Sequence, residues 1–134
     1  MAEGKVNFEL VSPERLLMTE DVDMVVVPGS EGYFGVLPGH APLISTLRPG
    51  VIDVYQGQAI ETRIFVADGF AEVTPERCTV LAGEAVLLGE VDRAEAERRV
   101  GEAELDLRDA SSDEERAKAQ ARVNVARALV EALR

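Results

Sequence analysis

The sequence predicts an all-β N-terminal sandwich, or flattened barrel, followed by a C-terminal antiparallel α-helical hairpin. Three observations predict it. Over roughly the first two thirds of the chain, short apolar runs alternate with turns built from glycine and proline, with no helical period between them. Near Gly89 the texture changes: glycine and proline nearly vanish while alanine, glutamate and arginine, all helix formers, take over. Two helix-start signals then follow within this second part, at Asp92 and at Ser112. The boundary divides the 134 residues into a sandwich domain, 1–89, and a hairpin domain, 90–134.

Val6-Asn7-Phe8-Glu9-Leu10 alternates apolar and polar residues, the period of a strand with one buried face, and Ser12-Pro13-Glu14 ends it. A second run, Val22 to Val27, closes at Pro28-Gly29. Glycine permits positive φ and proline fixes φ, so the stretch from Glu31 to Ile44, followed by Arg48-Pro49-Gly50, reads as a set of tight turns. Short strands flank those turns at Phe34 to Leu37 and Leu43 to Leu47. Further strands are predicted at Val51 to Tyr55, Ile60 to Ala67, Phe70 to Val73, Arg77 to Leu81 and Val86 to Leu88. The Gln56-Gly57-Gln58 and Asp68-Gly69 segments are read as turns between them.

Asp92-Arg93-Ala94-Glu95 has capping-box spacing, and along the helix it starts, Ala96, Val100, Ala103 and Leu107 share one face. Ser112-Asp113-Glu114-Glu115 starts a second helix by the same logic. Its apolar stripe is predicted to be Ala117, Ala121, Val125, Ala128 and Ala132, beside a second row of Val123, Ala126, Val130 and Leu133. The short connection makes the helices antiparallel neighbours. The first helix is net acidic, and past its acidic start the second is net basic, so the two attract across the hairpin. Alanine buries little apolar area, which leaves two readings of the hairpin open: a static lid on the sheet, or a mobile arm.

Composition narrows the function classes. A net charge of -11 with only two lysines argues against nucleic acid and against anionic lipid, both of which need a basic surface. No apolar run approaches the length of a membrane span, and the charged start has no signal-peptide core. The single cysteine, Cys78, lies in an alternating strand as a small core residue and fits a reducing compartment, so a cytoplasmic address is expected. His40 is the only histidine and sits among turn residues, without a second imidazole or a thiol pair to complete a metal site or a triad. The Gly29 to Gly35 stretch superficially resembles a phosphate loop but lacks the following lysine and helix. No catalytic residue, cofactor or metal is therefore expected, and the chemistry of the turn-rich stretch is contact. A non-catalytic interaction subunit and a free-standing β-sandwich that binds a small ligand both remain open on these residues alone.

The run Ser30-Glu31-Gly32-Tyr33-Phe34-Gly35-Val36-Leu37-Pro38-Gly39-His40-Ala41-Pro42-Leu43 resembles the signature of the epsilon-subunit family of bacterial F-type ATP synthases, whose mitochondrial counterpart is called delta. The order Val11-Ser12, then Asp68-Gly69-Phe70-Ala71-Glu72-Val73, then a helical hairpin matches as well, so the resemblance covers the whole chain. It implies a sandwich of about ten strands. It further implies a non-catalytic subunit of the central rotor stalk of the F1 sector, peripheral to the cytoplasmic face of the bacterial inner membrane and coupling the gamma subunit to the c-ring. Carried over by position, Glu31, Gly32, Tyr33 and His40 face the c-ring, while Ser12, Leu43 and Ile44 face gamma. Tyr33 stands where the family commonly has an acidic residue.

In many relatives the hairpin extends alongside gamma, meets the alpha and beta subunits and restrains ATP hydrolysis. Arg116, Arg122 and Arg127 match that beta-facing role. Some relatives also bind ATP on the folded hairpin. This chain keeps only a degenerate form of that motif, in Asp92, Ala96 and Arg127, because Glu95 stands at its arginine position and Val123 replaces a further arginine. A carboxylate there repels a polyphosphate, so no cofactor is expected.

Overall fold

The computed structural model describes residues 4–134 and divides into two units, the first ending at Leu87 and the second spanning Leu88–Arg134. The first is a β-sandwich of eight strands: β1 Val6–Val11, β2 Leu16–Val22, β3 Met24–Gly29, β4 Gly32–Val36, β5 Leu43–Thr46, β6 Gly50–Gln56, β7 Ala59–Val73 and β8 Arg77–Leu87. They hydrogen-bond in the order β2-β1-β8-β7-β6-β3-β4, with β5 paired separately to β7. Only β1 and β8 run parallel. The path does not close, since β2 and β4 end it as edges, so the molecule is a sandwich and not a barrel.

The layers arise from one long strand that changes partners. From Ala59 to Val66, β7 pairs with β6; from Phe70 to Val73 the same edge pairs with β5. On its other edge β8 follows without a register break, from Ile64 opposite Leu87 to Val73 opposite Cys78. The exchange falls at Asp68-Gly69, where both residues have positive φ, 63° and 132°. Asp68 is the only non-glycine so placed among the described residues. A Cβ on Gly69 would run into the carbonyl of Leu81, so only glycine lets β7 cross β8 this closely. Asp68-Gly69 is thus a bend inside one strand. Two of the nine legible runs so merge into β7. The runs at Arg77 to Leu81 and Val86 to Leu88, expected as separate strands, likewise fall in one continuous strand, β8, apart from Leu88. With β2 gained, eight strands stand where about ten are implied by the resemblance. Leu16–Val22, unmarked in the sequence, adds the edge strand β2, and its two leading leucines are exposed.

Alternation then fills the interior. Val6, Phe8 and Leu10 of β1 meet Val25, Val27, Ile52, Val54, Ile64, Val66, Val73 and Val80, all at most 3% exposed. Each buried valine or phenylalanine contributes on the order of 1.5–3 kcal/mol relative to exposure. Cys78 belongs to this core, and burial pushes its thiol up to about 12, so it stays neutral. At the margin, Lys5 pairs with Asp23 at 2.7 Å and donates to Gln56 at 3.1 Å. That hydrogen bond to Lys5, with a second from the Gly57 amide, holds the Asp23 carboxyl below its ordinary value. Its contribution to stability is therefore present at neutral pH and lost as pH falls through the lowered value.

The second unit opens with a 3-10 turn, Leu88–Glu90, and contains α1 Arg93–Asp109 and α2 Asp113–Ala132. Asp92 caps α1 by accepting from the Ala94 amide at 2.9 Å, and Ser112 caps α2 by accepting from the Glu115 amide at 3.0 Å. The helices pair antiparallel, because Arg93 at the start of α1 donates to the Leu133 carbonyl at the end of α2. On α1, Ala96 and Ala103 are buried as the spacing predicts. On α2 the buried residues are Ala119, Val123, Ala126 and Leu129, whereas Ala117 and Ala121 are exposed. The expected leading stripe is rotated outward, since the face carrying valine and leucine has more apolar area to bury than the alanine face.

Replacing Gly69 with alanine combines a positive-φ penalty with a backbone clash, and we expect a loss on the order of 3 kcal/mol in urea unfolding. A change below about 0.5 kcal/mol, the range of neutral surface substitutions, would mean the bend is not constrained.

Candidate functional site

The turn-rich stretch folds into the β3–β4 hairpin and the connection to β5. Pro28 pairs with Tyr33 and Gly29 with Gly32, leaving Ser30-Glu31 exposed at the tip. The tip is tied to the end of β5: the Ser30 amide donates to the Thr46 carbonyl at 2.8 Å, and the Thr46 hydroxyl donates to that of Ser30 at 2.7 Å. Tyr33 folds back over the start of β6, where its hydroxyl accepts from the Val51 amide at 3.4 Å. The Arg48 guanidinium lies 5.0 Å from its ring centroid. A side chain on Gly50 would sit 2.5 Å from that hydroxyl, so the glycine makes room for the phenol.

His40 belongs to the other end of β5. Its amide donates to the Leu37 carbonyl at 3.1 Å, its Nδ1 lies 2.7 Å from the Ala41 carbonyl, and the preceding Gly39 amide donates to Pro75 in the β7–β8 turn at 2.7 Å. Because β5 spans four residues, the Glu31 tip and His40 are separated by roughly 10 Å of strand. Glu31, Gly32 and Tyr33 are thus brought together, and His40 sits apart from them with Leu43. Leu43 and Ile44 point to opposite faces of β5, and Ile44 is 69% exposed.

Register carries Ile44's face across the sheet. Thr46 lies opposite Phe70, Phe70 opposite Leu81, Leu81 opposite Val11, and Val11 opposite Leu16. Residues directly opposite share a face, so Phe70, Leu81, Val11 and Leu16 form an apolar ladder across four strands on the outward side. Phe70 and Leu16 are 41% and 52% exposed. Ser12 follows Val11 directly, its hydroxyl accepting from the Glu14 and Arg15 amides at 3.4 and 3.3 Å. Ile44 shares the ladder's face through Thr46, and Ser12 adjoins the ladder's edge in the β1–β2 connection. The ladder escaped sequence reading because β2 was unmarked; Phe70 was the legible clue, since alternation puts it on the face of polar Glu72.

The same face turns polar toward the β7–β8 turn. A groove of about 470 Å³ there is lined by Asn7, Asp21, Glu72, Thr74, Arg77 and their neighbours. Asn7 donates to Asp21 at 3.1 Å, Thr79 donates to Glu9 at 3.2 Å, and Arg77 pairs with Glu9 at 3.5 Å. These are satisfied polar groups with no nucleophile and base among them. Among the described residues, no three or more His, Cys, Asp or Glu side chains are arranged to hold a metal ion, and no helix is long and apolar enough to cross a membrane.

On the hairpin, Arg127 reaches across to Glu104 at 2.6 Å, and Arg116 pairs with Asp113 at 2.8 Å within its own helix. Arg122 is exposed, with no ion pair among the described residues. Asp92 is occupied as the cap of α1, Ala96 is buried, and Glu95 pairs with Arg98. The residues of the degenerate nucleotide motif are thus each engaged within the hairpin.

A sandwich followed by a helical hairpin, with the turn-rich stretch and the ladder on its surface, can be set beside known proteins. Residues 5–88 match the family model for the ATP synthase delta/epsilon chain β-sandwich domain. This chain belongs to the ATP synthase delta/epsilon family. The ATP synthase epsilon chain of Rhodospirillum rubrum is 53% identical over 126 residues, covering 94% of both chains. That of Paramagnetospirillum magneticum is 53% identical over 133 residues, covering 99% of both. Among solved structures, a chain of the Euglena gracilis mitochondrial ATP synthase superposes with a TM-score of 0.84 at 23% identity, over 100% of this chain and 84% of that one. A chain of the Tetrahymena thermophila mitochondrial enzyme's central stalk and c-ring structure gives 0.70 at 14%, over 100% of both. Those two likenesses share the fold.

The Glu104–Arg127 pair is half exposed, so a double-mutant cycle with alanine at both positions should give a coupling of about 0.5 kcal/mol, falling as salt rises. Additive single substitutions would show that the pair does not join the helices.

Proposed function

We propose that this chain is a non-catalytic subunit of the central stalk of an ATP synthase F1 sector, peripheral to the cytoplasmic face of the bacterial inner membrane, where it couples the gamma subunit to the c-ring. The single observation that carries the reading is the outward apolar ladder, Phe70, Leu81, Val11 and Leu16, contiguous with Ser12 and Ile44. Sheets that face water place polar residues outward. A row of large apolar side chains with a polar rim marks a protein contact. Family membership supplies the partner: this face docks on gamma, and the Glu31-Gly32-Tyr33 turn is presented to the polar loops of the c-ring. His40, carried over with that turn as c-ring-facing, lies at the far end of β5 from it.

The sandwich acts mechanically in this reading. Torque passes through many modest contacts, which resist slippage because a packed sheet deforms little. The hairpin is the regulatory part, with Arg122 free to meet acidic segments of the catalytic beta subunits and Arg116 and Arg127 released from Asp113 and Glu104 when the arm extends. Its folded form is closed by its own carboxylates, Glu104 holding Arg127, in place of a bound nucleotide. No nucleic acid and no lipid insertion enter this reading.

Co-expression with gamma should yield a stable pair, and Phe70→Ala should weaken it about tenfold, the loss of one well-packed contact. Failure to pair would reject the docking face. Removing the chain from Asp92 onward should leave coupled synthesis largely intact and raise ATP hydrolysis; an unchanged hydrolysis rate would reject restraint by the hairpin.

A further inference from the structure

The geometry points to Arg48 as a docking residue in its own right, a guanidinium held in place to receive a carboxylate from a loop of the partner that meets the Glu31 turn. This rests on the reading that the turn faces a partner protein. Several arginines of this acidic chain are spent on its own carboxylates: Arg63 on Asp53, Arg77 on Glu9, Arg98 on Glu95, Arg116 on Asp113 and Arg127 on Glu104. Arg48 is exposed and lies instead over the Tyr33 ring, and among the described residues no carboxylate is paired with it.

Its position is fixed from three sides. The Arg48 amide donates to the Pro28 carbonyl at 3.0 Å, which anchors its backbone to β3. Pro49 follows, restricting the chain to extended conformations at Arg48. The ring beneath the guanidinium is itself pinned, because the Tyr33 hydroxyl accepts from the Val51 amide and fits only where Gly50 has no side chain. Stacking on an aromatic face leaves the N–H donors at the guanidinium's edge directed outward, and a planar fork so held matches a carboxylate in two parallel hydrogen bonds. Much of the entropy of ordering a long side chain is thereby lost before the partner arrives.

Tyr33 accordingly acts through Arg48. Where the resemblance places an acidic residue, this chain builds a seat for a cation, so this end of the sheet presents a carboxylate at Glu31 and a guanidinium at Arg48, two residues past the end of β5. A surface of both signs selects a partner loop of both signs and rejects one that is uniformly acidic or basic.

The test uses the full chain assembled with gamma, and measures binding of that pair to detergent-purified c-ring across a salt series. Arg48→Ala should weaken binding at least tenfold and flatten its salt dependence. Arg48→Lys should recover only part of the affinity, and Tyr33→Leu should cost about threefold by freeing the guanidinium. Unchanged pairing with gamma in each variant reports an intact fold. Equal c-ring affinity and salt slope in Arg48→Ala and the parent would overturn the assignment. So would an Arg48-dependent affinity for anionic phospholipid vesicles without c-ring, which would make the anion a lipid phosphate. A parent pair that joins gamma and does not bind the c-ring would overturn the placement of the turn itself, and Arg48's role with it.

Discussion

The sandwich depends on the close crossing of β7 over β8 at Gly69. With no Cβ between its backbone and the Leu81 carbonyl, β7 can leave β6, bend through two positive-φ residues and take β5 as its new neighbour while β8 keeps register. Everything on the outward face follows from that exchange. It puts Thr46 opposite Phe70 and so completes a row that runs through Leu81 and Val11 to Leu16. A larger residue at position 69 would separate the two strands that belong to both layers, and the ladder and the interior would be lost together.

The surface built on this frame has two regions of different chemistry. Across the second layer lies an apolar ladder bordered by Ser12 and Ile44, of the kind that derives affinity from desolvation. At the β3–β4 end, a charged turn is held rigid by hydrogen bonds to Thr46 and by the Tyr33 seat. Charged contacts at a rim set orientation and partner choice more than affinity. The proposed role, gripping gamma while engaging a second surface, calls for both, and strands give the rigidity that loops alone do not. The hairpin is built differently. Its seam is mostly alanine, with Val123 and Leu129, and polar clasps at Arg93–Leu133 and Glu104–Arg127, so it buries less apolar area per residue than the sandwich interior.

Much of this was legible in the sequence where local chemistry decides. The helix starts at Asp92 and Ser112, the alternation of β1 and the turn beside Glu31 each rest on a few adjacent residues and each forms, although Asp92 caps through the Ala94 amide while Glu95 pairs with Arg98. What escaped depends on distant partners. Asp68-Gly69 reads as a turn between two strands and proves to be a bend within one, because whether such a pair reverses a strand or bends it is set by β8, whose Leu81 carbonyl crowds Gly69. Leu16–Val22 has little alternation because an edge strand buries little, so only pairing with β1 reveals it. On α2 two apolar rows competed, and the buried seam takes Val123 and Ala126 from the second and adds Ala119 and Leu129, which neither row contains. The docking ladder required all of these registers at once, which is why only its first member, Phe70, could have been suspected.

In the proposed function Leu16, Ile44 and Phe70 belong to one gamma-facing surface. Hydroxyl-radical footprinting of the full chain, free and bound to gamma, tests it directly, since all three are exposed in the free chain, as is Ile60 on the opposite layer at 43%. The three should lose labelling together on binding while Ile60 keeps its own. Protection of Ile60, with Phe70 and Ile44 still labelled, would contradict it.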